Sequence, residues 1–194
     1  MRLIIGLGNP GEKYVGTRHN VGFEFLDKLK KEWNFPNFEF SNKFNADISE
    51  DIRKVEPSVS EGSTFGKTIL VKPQTFMNLS GSAVQDIMSF YKLSPDDILV
   101  IHDDKDIPLG EYRMATDSTS AGHNGVQNII DQIGTQKFKR IRIGIGIKSG
   151  FPSDLSAEAL AKAEVFVLQK FSDEEKEKIE KVLDKVLEEV KNTF

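Results

Sequence analysis

The chain has 194 residues, with 26 Lys and Arg against 30 Asp and Glu, a formal net charge of −4, and no cysteine. That length holds one domain, or at most two small ones, with ample material for a core. The missing cysteine excludes disulfides, thiolate zinc sites, iron–sulfur clusters and a Cys nucleophile. No apolar run approaches the roughly 18 residues of a membrane span, and the apolar start is too short for a signal peptide. A soluble cytoplasmic protein with no membrane partner is expected. The acidic average argues weakly against nucleic acid, because phosphate is held mainly by Lys and Arg. The distribution is uneven, however. Residues 132–150 carry Lys137, Lys139, Arg140, Arg142 and Lys148 and no acidic side chain.

In chain order, Leu3, Ile4 and Ile5 before Gly6 and Gly8 predict a short buried strand entering a tight turn. Val21, Phe25, Leu29 and Trp33 recur at helical spacing until Asn34 and Pro36 stop them. Strand-like pieces follow at 38–40, 44–48 and 68–71, around a loop holding Pro57 and Gly62. A second helix carries Ala83, Ile87, Met88 and Tyr91. The unbroken apolar run 98–101 predicts a central strand covered on both faces. Another strand is expected at 111–114, and a third helix carries Val126, Ile129, Ile130 and Ile133. Ile141, Ile143, Ile145 and Ile147 alternate with Arg142, Gly144 and Gly146 as a half-buried strand. Ser172 and Glu175 form a capping box before an amphipathic C-terminal helix, expected over 172–192. Alternating strands and helices make the fold α/β.

Gly6-Leu7-Gly8-Asn9-Pro10-Gly11 matches the glycine pattern of a dinucleotide-binding turn, but Asn9-Pro10-Gly11 is a turn and no helix opens directly after it. The glycines then serve to turn the chain. The three histidines, His19, His102 and His123, all have polar neighbours. Sites in open α/β sheets form outside the C-terminal ends of strands, where Asn9 and Asp103 are expected to meet. A His oriented by a carboxylate there is a general base for activating water. The run Asp103-Asp104-Lys105-Asp106 is a weaker metal candidate, with Lys105 in its midst, and no metal is expected. No G-x-S-x-G elbow occurs, so a metal-free hydrolase using His, Asp and water remains. Asn9, Asn78 and Asn124 suit a substrate with amides to hydrogen-bond. Phe76 and Met77 read as core, and Asn78 as a possible cap for the following helix.

These blocks together resemble the bacterial peptidyl-tRNA hydrolase family. The resemblance rests on Gly6–Gly11 with Tyr14 and Thr17-Arg18-His19-Asn20-Val21-Gly22, on Lys72-Pro73 and Thr75-Phe76-Met77-Asn78-Leu79-Ser80-Gly81, and on the strand ending His102-Asp103. It continues through Gly122-His123-Asn124-Gly125 and Arg140-Ile141-Arg142-Ile143-Gly144-Ile145-Gly146, in order over 3–146, with weaker matches at 166–168 and Phe171. It implies one α/β domain over 1–194, with a mixed twisted sheet flanked by helices, acting as a monomer without cofactor or obligate protein partner. It implies hydrolysis of the ester joining peptide to tRNA, which frees tRNA for translation. By position, His19 would be the base and Asp103 its orienting carboxylate. Asn9 and Asn78 would hold substrate and oxyanion, Asn124 would position water or peptide, and Tyr14 and Met77 would line the cleft. Arg142, with Arg140 and Lys137, would lie near the tRNA backbone. A non-hydrolytic RNA-binding relative of the same fold is the rival, and its sign would be loss of these residues.

Four departures stand out. Ala115 occupies a place where a phosphate-binding base is common, Asp117 adds negative charge nearby, Gln127 replaces a usual Lys, and Lys105 follows Asp104 in place of an apolar residue. The stretch 148–163 also looks longer than the family's usual connection. The expected tRNA clamp is therefore thinned while the catalytic set is complete.

Overall fold

The computed structural model describes residues 1–55, 64–146 and 157–193. The strands are β1 (Arg2–Gly6), β2 (Glu39–Ser41), β3 (Ala46–Val55), β4 (Thr64–Pro73), β5 (Ile98–Pro108), β6 (Tyr112–Ala115) and β7 (Lys139–Gly146). The helices are α1 (Val21–Glu32), α2 (Ser80–Tyr91), α3 (Asn124–Ile133), α4 (Ala157–Val167) and α5 (Asp173–Thr193). Among the described residues the strands form one mixed sheet in the order β2-β3-β4-β1-β5-β7-β6. β4, β1, β5 and β7 run parallel, and β2, β3 and β6 make antiparallel edges. The Pro57–Gly62 loop lies outside the described residues.

Each face of the sheet buries its own apolar set. Ile4, Leu70, Leu99, Ile101, Ile141 and Ile143 pack with Phe25 and Leu29 of α1 and with Val182, Val186 and Val190 of α5. Leu3, Ile5, Ile69, Val71, Ile98 and Val100 pack with Val84 and Ile87 of α2 and Val126 and Ile129 of α3. The alternation along β1 and β5 thus feeds both layers, as an unbroken apolar strand should. The chain leaves β1 for β4 on one side and crosses from β4 to β5 on the other. The C-terminal end of β1 is therefore a topological switch point, where a crevice opens.

β3 and β4 are longer than the pieces expected at 44–48 and 68–71, and β5 and β7 differ from expectation in extent and in cover. β5 runs past the apolar run 98–101 and past the His102-Asp103 end that the family resemblance implies, because Asp104 continues its pairing with β7 and a bulge carries it to Pro108. β7 is covered on both faces rather than half-buried. Its glycines explain why, since backbone closes over them: a Cβ on Gly144 would meet the Pro108 carbonyl at 2.2 Å, and one on Gly146 the Lys105 carbonyl at 2.2 Å. Ile147 and residues 148–156 lie outside the described residues, while 157–163 belong to α4. The capping box at α5 is formed: Ser172 N–H donates to Glu175 Oε2 at 2.8 Å and Glu175 N–H to Ser172 Oγ at 3.3 Å.

Candidate active site

The site grows from the 3₁₀ turn Arg18–Asn20 ahead of α1. With three residues per turn, successive side chains leave about 120° apart. Three consecutive residues therefore reach three different parts of the fold. Glycines bring this turn down onto the sheet. A Cβ on Gly22 would lie 2.5 Å from both the Leu7 nitrogen and the Ile101 carbonyl, and one on Gly6 would lie 2.3 Å from the Gly22 carbonyl. The glycines of the opening motif therefore allow backbone to approach backbone, which the turn reading alone does not require.

His19 Nδ1 lies 2.7 Å from Asp103 Oδ1, and His123 Nε2 lies 3.0 Å from the same oxygen. Asp103 is 2% exposed. Burial alone would push its carboxyl up, but the two imidazoles and their hydrogen bonds outweigh it and hold the group far below the usual carboxylate range. An ionised carboxylate only accepts, so both facing nitrogens carry hydrogen. His123 Nδ1 also accepts the Val126 N–H at 3.3 Å, as the N-cap of α3. With Nδ1–H given to Asp103, His19 Nε2 is the nitrogen left to accept a proton when the ring is neutral. Behind them His102 donates Nδ1–H to the Asp103 carbonyl at 2.7 Å. Burial holds that imidazole well below its usual range, so it stays neutral with Nε2 bare and unpartnered.

Asn20 holds Asn9 by the backbone on both sides. Asn9 N–H donates to Asn20 Oδ1, and Asn20 Nδ2 donates to the Asn9 carbonyl, each at 2.9 Å. Asn9 Oδ1 accepts the Met77 N–H at 2.8 Å, which turns the Asn9 amide so that Nδ2 is left to donate. Met77 is buried, and its sulfur would be 2.5 Å from a Cβ on Gly125, so it forms the floor between β1 and α3. Asn78 is exposed on the turn Met77–Leu79 and caps nothing, since the N-cap of α2 is Leu79 without a side-chain bond. Asn124 is exposed as the first residue of α3. These two elements are joined where Gly81 N–H donates to Asn128 Oδ1 at 2.7 Å. The Tyr14 ring stands edge-on to exposed Phe76, with centroids 6.4 Å apart. On the other side of Asn9 and Asn20 lies a cavity of about 340 Å³ walled by Phe23, Glu24, Asp27, Asp47 and Lys72.

Residues 3–194 match the family model described as Peptidyl-tRNA hydrolase. The chain belongs to the peptidyl-tRNA hydrolase family. It is 40% identical over 184 residues to the Peptidyl-tRNA hydrolase of Geobacillus kaustophilus, covering 94% of this chain and 87% of the relative. It is 49% identical over 146 residues to that of Brevibacillus brevis, covering 75% and 70%. The crystal structure of peptidyl-tRNA hydrolase from Acinetobacter baumannii superposes with a TM-score of 0.80 at 32% identity, covering 98% of this chain and 87% of that one.

Within this peptidyl-tRNA hydrolase fold the basic block divides. Arg140 is 1% exposed, and its guanidinium donates to the Thr119 carbonyl at 3.0 Å and to Ser118, so its charge organises the loop before α3 and does not face solvent. Arg142 is half-buried, with Nε and Nη2 each 2.7 Å from Asp104 Oδ2. Lys137 is exposed, and so is Arg113, which faces Arg142 directly across β6 and β7. Gln127 is engaged internally, accepting from Ser120 Oγ and donating to Asp131 Oδ1, each at 2.8 Å. Lys105 bonds Asp106 at 2.8 Å. Among the described residues, His19, Asp103 and His123 could offer a metal three ligand atoms within 4.8 Å of one another. A cation there would displace both imidazole N–H bonds to Asp103. Sequence reasoning assigns no role to His123, Asn20 or Arg113; the first two sit inside motif blocks, where adjacency to Asn124 and His19 is the available sign.

Proposed function

We propose that this chain hydrolyses the ester between peptide and tRNA in peptidyl-tRNA, with His19 as general base oriented by Asp103. The supporting observation is the 2.7 Å bond between His19 Nδ1 and a buried, ionised Asp103. That bond fixes the tautomer in which Nε2 takes a proton from water, and the carboxylate stabilises the imidazolium that forms. The hydroxide adds to the ester carbonyl, and Asn9 Nδ2, held by Met77 and Asn20, donates to the resulting oxyanion. Asn78 assists there and Asn124 positions the water or the peptide. Collapse expels the 3′ ribose oxygen, which recovers the proton from His19, leaving free tRNA and a peptide acid. Tyr14 flanks the peptide above the Met77 floor. Lys137 and Arg142 meet the tRNA backbone, with Arg140 holding the adjoining loop.

A substrate made in translation supports a cytoplasmic site of action, and no helix among the described residues is long and apolar enough to cross a membrane. The test is peptide release from a defined N-blocked aminoacyl-tRNA by wild type and His19→Ala, with and without chelator. Wild-type release that survives chelator, and falls by on the order of 10³-fold in folded His19→Ala, is expected. Near-normal turnover by the variant would refute the base, and loss with chelator would put the metal at His19, Asp103 and His123. Absence of wild-type release would favour the RNA-binding rival.

A further inference from the structure

The turn that carries His19 is anchored from behind by Arg18. Its side chain is 7% exposed and lies against two aromatic rings, with the guanidinium carbon 4.5 Å from the Phe166 centroid and 5.2 Å from that of Phe171. Nη1 donates to the Lys170 carbonyl at 2.9 Å, and Nη2 contacts both oxygens of Glu175 at 2.8 and 2.7 Å. The backbones are joined as well. Arg18 N–H donates to the Gln169 carbonyl at 3.0 Å, Phe171 N–H donates to the Gly16 carbonyl at 3.3 Å, and Thr17 bridges Lys170. Glu175 also closes the capping box of α5, so a single carboxylate serves both the helix start and the Arg18 fork.

We infer that Arg18 is a positioning residue that makes the aim of the His19 imidazole depend on docking of residues 166–175, the connector 168–172 with the flanking ends of α4 and α5. A guanidinium with a planar fork, two cation–π contacts and a paired carboxylate has one orientation, whereas a Lys ammonium in its place keeps the charge but loses the fork. Because His19 follows Arg18 in a tight turn, a rotation at Arg18 is carried to the imidazole. A misplacement of about 1 Å at a catalytic group costs on the order of 10²-fold. The connector thereby gains control over turnover without touching the substrate. The inference rests on the hydrolase reading for its kinetic arm only.

The test pairs Arg18→Lys with Glu175→Gln. Glutamine still serves the capping box, so Glu175→Gln keeps the start of α5 while removing the charge that holds Arg18. Two readouts are taken: kcat and KM on N-blocked aminoacyl-tRNA, and the low-field proton resonance of His19 Nδ1–H, assigned by its absence in His19→Asn. Arg18→Lys is expected to shift or broaden that resonance and to lower kcat by about tenfold or more, with KM little changed. Glu175→Gln should do the same more weakly. An unchanged resonance and unchanged kcat in both variants, or an effect on KM alone, would overturn the coupling. If Arg18→Lys does not fold, Glu175→Gln decides. If wild type releases no peptide, the hydrolase reading fails, and the resonance in the two variants still decides the coupling.

Discussion

Asp103→Asn isolates the charge of the carboxylate from its shape. The amide oxygen can accept the N–H bonds that Asp103 Oδ1 now receives from His19 at 2.7 Å and from His123 at 3.0 Å, so geometry and tautomer survive. What is lost is the counter-charge to the imidazolium formed as His19 takes the proton from water. With charge centres about 4 Å apart and an effective dielectric of about 20, that attraction is about 4 kcal/mol, which corresponds to about 10³-fold in rate. KM should hardly move, because Asp103 is buried behind His19 and meets no solvent. Single-turnover release from N-blocked aminoacyl-tRNA at saturating enzyme measures the step directly, with circular dichroism to confirm folding. The sign with pH also follows. A carboxyl held far below its usual range stays ionised throughout any workable assay, so its stabilisation is lost only in strong acid and the wild-type acid limb does not report Asp103. A kcat within threefold of wild type, or a loss carried wholly by KM, would refute the electrostatic role.

Glu24 supplies a stability prediction. Burial, with Glu180 and Asp27 nearby and Lys176 and Lys72 opposing, raises its carboxyl from 4.5 to about 7, so the folded state disfavours the charged form and the cost grows as pH rises from 4.5 through 7. Denaturant titrations at pH 5 and pH 8 should therefore show wild type losing about 1–2 kcal/mol relative to Glu24→Gln, below the ceiling of about 3 that the full rise allows; equal pH dependence in both proteins would count against it. Lys137→Ala should weaken tRNA binding across sequences and lower the slope of log affinity against log salt by about 0.7–0.9, one phosphate contact; an unchanged slope would take Lys137 off the RNA path.

Local features are legible in the sequence, and distant ones are not. The capping box of α5 and its apolar stripe are contained within a few turns, so spacing alone reveals them. The run 98–101 likewise announces a central strand. Its extension to His102-Asp103 comes from the family resemblance and not from the apolar pattern, because polar residues usually end a buried strand. α4 escapes a reading by periodicity because Ala157, Ala161 and Ala163 give no apolar period to count. The pairing of His19 with Asp103 spans 84 positions and depends on β1 lying beside β5, which no local pattern encodes. Arg140 reads as a surface charge because Arg is seldom fully buried, yet β7 lies between β5 and β6 and turns it inward onto the 118–119 carbonyls. Beyond its place beside Asn124, His123 gives no sign of its role, because its two jobs, capping α3 and donating to Asp103, use opposite nitrogens and emerge only in three dimensions.

The contiguity of Arg18, His19 and Asn20 has a geometric cause. An α-helix would send three consecutive side chains round only most of a turn, and a strand would alternate them between two faces. A 3₁₀ turn spaces them evenly, so one short segment can meet Glu175 near the C-terminus, Asp103 in the central strand and Asn9 at the end of β1. Each contact constrains the same few backbone angles, so His19, Asn9 and the C-terminal anchor are set by one local conformation. Loosening any of the three should disturb the other two. That makes non-additivity the expected behaviour of double variants among Arg18, Asn20 and Asp103, since residues sharing one backbone turn are coupled through it. It also separates catalysis from the charge of the surface. The acidic chain needs only a few exposed bases for RNA, because its most deeply buried arginines, Arg18 and Arg140, are already occupied in positioning backbone.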